Sequence, residues 1–172
     1  MLLSVEALRV SYGNIKALHG LNFEIDEGEI VCIIGANGAG KSTTLKAISR
    51  MVPADEGSRM TFQGKDLLEY AADKVVSQLG ISHVPEGRRL FDNLTVTENL
   101  QLACFARKDK DQIKEEFELA IFLIEHRMKV VMELCERIQT LVFGEVIAQG
   151  TPDEIQNNPK VIDAYLGKEI VE

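Results

Sequence analysis

A glycine-rich stretch near the N-terminus restricts the possible folds more than any other feature of this sequence. Residues 30–34 are a run of apolar side chains that predicts a strand buried on both faces. Residues 35–42 then match the pattern G-x-x-x-x-G-K-[ST] without a gap. Glycines allow positive φ angles, so consecutive backbone N–H groups can turn towards an anion. The pattern predicts a strand, a phosphate-binding loop and a helix over residues 42–50.

Two side chains of this loop extend the prediction to a nucleotide with a metal ion. Lys41 adds a mobile positive charge, and Ser42 places a hydroxyl where it can ligate Mg²⁺. The helix N-terminus contributes about half a unit of positive charge. The alternative is a glycine-rich turn that binds nothing. That alternative leaves Lys41 unexplained, because an unpaired charge beside an apolar strand is costly.

Length and composition predict one soluble domain without a basic surface. The 172 residues include 45% hydrophobic and 27% charged residues, and the formal net charge is −8. Scattered acidic residues disfavour a nucleic-acid partner. Cys32, Cys104 and Cys135 show no C-x-x-C spacing and predict free thiols in a reducing compartment. Because we find no cleavable leader and no apolar run of about 18 residues, we expect a cytoplasmic chain.

The pattern along the chain predicts an antiparallel β element ahead of an α/β core. Turn residues Gly13 and Asn14 separate the first two strands, and Thr151 and Glu154 have the spacing of a capping box. The predicted strands cover residues 2–12, 17–25, 60–63, 81–84, 119–124, 138–143 and 146–149. Beyond the first helix, helices are predicted over residues 66–79, 95–106, 108–118 and 161–166, with further helices after residues 126 and 151.

Short motifs along nearly the whole chain resemble those of one known family. They are Ser11-Tyr12-Gly13, residues 35–44, VPEGRR at 84–89, LTVTENL at 94–100, IEH at 124–126 and GTPDEI at 150–155. With them the sequence resembles the ATPase subunits of ABC transporters, and among these the branched-chain amino acid importers. This resemblance implies an α/β fold of the P-loop NTPase class. We therefore expect a RecA-like parallel core sheet in a single ABC-type nucleotide-binding domain over residues 1–172.

The resemblance also implies roles for individual residues in binding ATP and Mg²⁺. Tyr12 would stack on adenine, Ser42 would bind Mg²⁺ and Thr43 would support the α-phosphate. The loop residues that would hold the phosphates are Gly35, Asn37, Gly38, Ala39, Gly40, Lys41 and Ser42.

Two further residues would complete the catalytic site. Glu86 stands at the Q-loop position, where it would sense the metal and couple to the membrane subunit, although glutamine is commoner there. His126 would be the switch histidine that contacts the γ-phosphate. Simpler interpretations compete with each role: Tyr12 packs over the β element, Glu86 is solvated, and His126 ends a buried strand.

The sequence also departs from the family pattern. It contains no Gly-Gly pair, so the Leu-Ser-Gly-Gly-Gln signature is absent, and no Walker B strand ending in Asp-Glu is found. Glu118 is followed directly by Leu119, where the family has several dozen further residues. We interpret this as an internal deletion near 118–119 that removes most of the helical subdomain. The strand at 119–124 is then expected to have an open edge and to favour self-association.

Three functions compete as interpretations of this sequence. The first is an ATP-binding subunit that energises uptake of branched-chain amino acids together with transmembrane permease subunits and a second ATPase subunit, at the inner face of the cell membrane. The second is a truncated or mosaic remnant that binds ATP without hydrolysing it, because phosphoryl transfer needs a metal carboxylate and a water-positioning group. The third, a GTPase or small-molecule kinase, is disfavoured because Asn-Lys-x-Asp and Asp-x-x-Gly are absent.

Overall fold

The described part of the computed structural model comprises residues 1–83, 95, 120–125 and 128–166. It contains two four-stranded sheets. The strands are β1 (Leu3–Tyr12), β2 (Ile15–Ile25), β3 (Ile30–Gly35), β4 (Arg59–Phe62), β5 (Lys65–Asp66), β6 (Ile121–Ile124), β7 (Arg137–Val142) and β8 (Glu145–Gly150). The helices are α1 (Lys41–Ile48), α2 (Ala72–Leu79), α3 (Met128–Leu134), α4 (Pro152–Gln156) and α5 (Pro159–Leu166), with a 3₁₀ turn at Leu67–Glu69.

The first sheet is antiparallel and has the strand order β2-β1-β4-β5. Its first hairpin turns at Gly13, where φ is +59°, and pairs Tyr12 with Ile15. Leu8 and Val10 of β1 and Leu21, Phe23 and Ile25 of β2 are buried while the residues between them are exposed, as expected when one face of a sheet lies on the core. The predicted N-terminal antiparallel β element is confirmed.

The second sheet has the order β6-β3-β7-β8 and places the phosphate-loop strand β3 in its interior. β3 runs parallel to both β6 and β7, while β8 returns antiparallel to β7. Val31, Cys32, Ile33 and Ile34 are each at most 1% exposed. This burial confirms the prediction of a strand covered on both faces and the α/β class of the core.

β6 forms one side of this sheet in the described part of the chain. Among the described residues it pairs with β3 alone, and Ile121 at its start is 42% exposed. Because residues 84–94 and 96–119 are not among the described residues, the open edge of β6 stays a prediction.

The two faces of the parallel sheet pack against different partners. Val31 and Ile33 join a core that includes residues of the antiparallel sheet, α1 and α2. Cys32 and Ile34 join a second core with residues of α3, β7, α4 and α5. The P-loop strand therefore links both cores.

Two predicted elements differ in the structure. The helix predicted over residues 66–79 is interrupted. Asp66 Oδ1 accepts a hydrogen bond from the Leu68 N–H at 2.8 Å and caps the 3₁₀ turn, but Tyr70 and Ala71 are extended, so α2 begins only at Ala72. Residues 81–83 of the predicted strand 81–84 form no strand. The Ile81 N–H instead donates to the Val75 carbonyl at the end of α2.

The C-terminal predictions agree with the structure. β7 and β8 form the predicted hairpin, but its turn lies at residues 143–144, one residue before the predicted turn at 144–145. Before α4, the Thr151 side chain accepts from the Glu154 N–H while the Glu154 carboxylate accepts from the Thr151 N–H. The helix predicted over 161–166 begins slightly earlier, at Pro159.

Candidate functional site

The loop between β3 and α1 depends on glycine at three positions. Gly35, Gly38 and Gly40 have φ values of +153°, +81° and +103°, which other residues rarely adopt. A Cβ at Gly35 would collide with the Leu141 carbonyl oxygen, and one at Gly40 would lie 2.6 Å from Leu18 Cδ2. A Cβ at Gly38 would meet nothing within 4 Å. Two glycines thus let the loop pack against the protein, and the third faces open space.

Lys41 lies across the loop that precedes it. Its Nζ donates to the Gly35 carbonyl at 2.8 Å and to the Ala36 carbonyl at 3.0 Å, and the residue is only 6% exposed. These carbonyl groups compensate the desolvation of a buried ammonium group. An anion between the loop and α1 would meet this charge directly.

The first turn of α1 supplies hydroxyl groups and has no acidic side chain. Ser42 and Thr43 are half-buried, whereas Thr44 is fully buried and its Oγ1 donates to the Gly40 carbonyl at 3.0 Å. The partial positive charge of the helix N-terminus is therefore not opposed by a neighbouring carboxylate. This geometry fits the phosphates of a nucleotide, and Ser42 fits the hydroxyl ligand of a magnesium ion.

The other residues of the predicted site differ in exposure. Asn37 in the loop is exposed, whereas Ala39 is 3% exposed and donates its N–H to the Ala36 carbonyl at 3.1 Å. Tyr12, the last residue of β1, is 46% exposed, so its ring is accessible to a flat ligand. Stacking on adenine stays a prediction. Glu86 and His126 lie outside the described residues, and their roles also stay predictions.

One contact at the site was not predicted from the sequence. The turn between β7 and β8 touches the phosphate loop, because the Gly144 N–H donates to the Ala39 carbonyl at 2.9 Å. The Gly144 carbonyl accepts from the His19 N–H of β2 at 3.0 Å. The sequence predicts the hairpin, but it gives no signal that the hairpin contacts the phosphate loop.

Two of the three cysteines have the properties of core residues. Cys32 and Cys135 are buried free thiols. Burial raises the pKa of Cys32 to about 12 and also raises that of Cys135, so both thiols stay protonated near neutral pH. Cys104 lies outside the described residues.

Comparison with known families accounts for the loop and for the strands around it. A family model described as "ABC transporter" matches residues 18–145. The chain belongs to the ABC transporter family. A second model, described as "Branched-chain amino acid ATP-binding cassette transporter", matches residues 145–171 of this ABC protein.

Curated relatives of this ABC protein include several branched-chain amino acid transport proteins. The ATP-binding protein BraG of Pseudomonas aeruginosa is 28% identical over 235 residues, covering 96% of this chain and all of BraG. LivG of Escherichia coli is 26% identical over 252 residues, covering 97% and 98%. The lipopolysaccharide export ATP-binding protein LptB of Haemophilus influenzae is 24% identical over 238 residues, covering 98% of each chain.

These alignments run over more positions than the 172 residues of this chain. Each therefore contains gaps where the relative has additional residues. This agrees with the absence of the signature and Walker B segments from the sequence.

Solved structures show the same fold. A nucleotide-free ATP-binding cassette from an ABC transporter superposes with a TM-score of 0.73 at 18% identity, covering 95% of this chain and 98% of that one. The ATP-binding subunit of another ABC transporter gives 0.74 at 22% identity, covering 99% and 98%. The predicted P-loop NTPase fold is thereby confirmed.

Cassettes of this family bind nucleotide, and they act as dimers with membrane permeases. One similar structure is described as an ADP conformation, and another as a dimer bound to ADP and Pi. Within the described part of this chain, no helix is both long enough and apolar enough to cross a membrane.

Proposed function

We propose that this chain is the ATP-binding subunit of an importer for branched-chain amino acids and that it binds Mg²⁺ and ATP at residues 35–43. The observation that carries the proposal is the phosphate loop, in which glycine geometry, the Lys41 ammonium group and the α1 N-terminus meet at one place. The match of residues 145–171 to the branched-chain amino acid model supports the choice of substrate over lipopolysaccharide export.

The geometry suggests how the chain would hold the nucleotide. Lys41 would exchange its bonds to the Gly35 and Ala36 carbonyls for bonds to phosphate oxygens. The backbone N–H groups of the loop and of the first turn of α1 would bind the remaining oxygens. Ser42 would offer its hydroxyl to Mg²⁺, which neutralises charge on the phosphates.

Transport requires partners that the chain does not itself provide. Transmembrane permease subunits and a second ATPase subunit would complete the transporter, and they would hold this chain at the inner face of the membrane. In this arrangement Glu86 would couple the nucleotide to the permease, and His126 would contact the γ-phosphate.

Equilibrium titration with a fluorescent ATP analogue tests nucleotide binding. We expect Lys41→Ala to weaken binding by about 10–100-fold, because a hydrogen bond from a charged donor is lost. Lys46→Ala is the matched control, since Lys46 lies on the same helix and is exposed in its last turn. Equal affinity of the wild type and Lys41→Ala would refute the proposed site.

A second candidate function is nucleotide binding without hydrolysis, favoured by the missing signature and Walker B residues. Their loss would remove the metal carboxylate and the group that positions water. We expect phosphate release by the purified chain with ATP and Mg²⁺ to equal that of Lys41→Ala. Release above that control would show that another acid, such as Glu86 or Glu125, serves instead.

A further inference from the structure

Two hairpin turns in this chain have nearly the same backbone but different surroundings. Gln63 and Gly64 join β4 to β5 with φ values of +50° and +75°, and Phe143 and Gly144 join β7 to β8 with +46° and +78°. A Cβ at Gly64 would meet nothing within 4 Å, and Gly64 is exposed. Gly144 is buried, and its Cβ would collide with the Ala17 carbonyl oxygen and lie 2.8 Å from His19 Cδ2.

Gly144 lies where three segments meet. Its N–H donates to Ala39 in the phosphate loop, and its carbonyl accepts from His19 in β2. The next loop residue, Gly40, is packed equally closely, since a Cβ there would lie 3.1 Å from the Ala17 carbonyl oxygen and 3.6 Å from Gly144 Cα. The second half of the loop is therefore packed against β2 and against the turn.

The bond between Gly144 and Ala39 sets the direction of a loop N–H group. In a planar trans peptide the carbonyl and the following N–H point in opposite directions, and the described residues contain no cis peptide bond. Because the Ala39 carbonyl is directed at Gly144, the Gly40 N–H is directed away from the turn. Loop N–H groups with fixed directions are the groups that bind phosphate oxygens.

We infer that Gly144 is a positioning residue for the nucleotide site, acting through the Ala39 carbonyl to hold the second half of the phosphate loop against β2. This role rests on the proposed binding of ATP at the loop. Any side chain at position 144 must displace β2 or the β7–β8 turn. Ala39 is hydrogen-bonded to this turn, so it moves when the turn moves. Such a displacement weakens binding without removing any group that touches the nucleotide.

The test compares Gly144→Ala with Gly64→Ala in titrations with a fluorescent ATP analogue, at a temperature where both variants are folded. Both substitutions place alanine at a similar left-handed φ, so both carry similar backbone strain. We expect Gly144→Ala to lose about tenfold or more in affinity and Gly64→Ala to stay within about twofold of the wild type. Equal affinities of the two variants would overturn the inference.

The wild type provides a second measurement if Gly144→Ala does not fold. Hydrogen exchange of the Gly144 and His19 amides is expected to slow when ATP and Mg²⁺ bind, because both amides belong to the connection that holds the loop. The control is the Gln63 amide, which donates to the Leu2 carbonyl at 2.8 Å in the other hairpin. Unchanged exchange at Gly144 and His19 under saturating ATP would refute the positioning role. Failure of the wild type to bind ATP would instead refute the proposed function.

Discussion

Replacing Gln139 with methionine is expected to make this protein more stable. Gln139 is fully buried in β7 and stands in register with Ile33 of the phosphate-loop strand. Neither Oε1 nor Nε2 has a hydrogen-bond partner in the part of the chain that the structure describes. A buried amide that loses water without gaining a partner costs about 1–3 kcal/mol. Methionine has a similar length and no group that requires a strong hydrogen bond.

The expected gain in the free energy of unfolding is therefore about 1–3 kcal/mol. For a chain of this size each kcal/mol raises the melting temperature by about 2–4 °C. Thermal melts followed by circular dichroism would measure the shift. The matched control is Gln149→Met, because Gln149 lies directly opposite on β8 and is exposed, so we expect a change within about 0.5 kcal/mol. A Gln139→Met variant that melts at or below the wild-type temperature would show that the amide is hydrogen-bonded, and the reasoning would be wrong.

Three further outcomes can be checked with simple variants. Thr151→Ala should lower the free energy of unfolding in urea by about 1 kcal/mol, while Thr151→Ser should retain it, because serine also caps a helix. Burial raises the pKa of Cys32 from 9.0 to about 12, so the folded state keeps a proton that the unfolded state releases in this range. The stability that the buried thiol contributes is fully present below about pH 9 and is lost as the pH rises towards 12. Between about pH 8 and 10, the urea midpoint of Cys32→Ala should therefore fall less than that of the wild type. Ile121→Lys should reduce self-association in light scattering, since a charge protects an exposed strand edge, whereas a monodisperse wild-type monomer would argue against an open edge.

Local sequence signals predicted those parts of the fold that local chemistry decides. The glycines that allow the positive φ angles of the loop before Lys41 stand in the loop itself, and the capping box at Thr151 closes within four residues. Asp66 likewise caps the 3₁₀ turn that follows it, but α2 begins only at Ala72 because Tyr70 and Ala71 are extended. Both caps are made by groups that are close in the chain.

Contacts between distant segments could not be predicted in this way. Gly64 and Gly144 are indistinguishable as turn residues, and only the packing of β2 against the β7–β8 turn makes one of them part of the site. Gln139 gives no local sign that it is buried, and its burial follows from its position beside Ile33 of β3. Neither the packing of Gly144 nor the burial of Gln139 can be inferred from a single sequence, because both depend on which distant segments meet in the fold.

The position of β3 between β6 and β7 has a consequence for how this protein is made. Both neighbours of the phosphate-loop strand come from the second half of the chain, and β7 begins about 100 residues after β3 ends. At about 5–20 residues per second, the ribosome needs roughly 5–20 s to supply them. During that interval the apolar residues of β3 have no strand to pair with. Newly made chains should therefore depend on chaperones that bind extended apolar segments until β7 emerges from the ribosome.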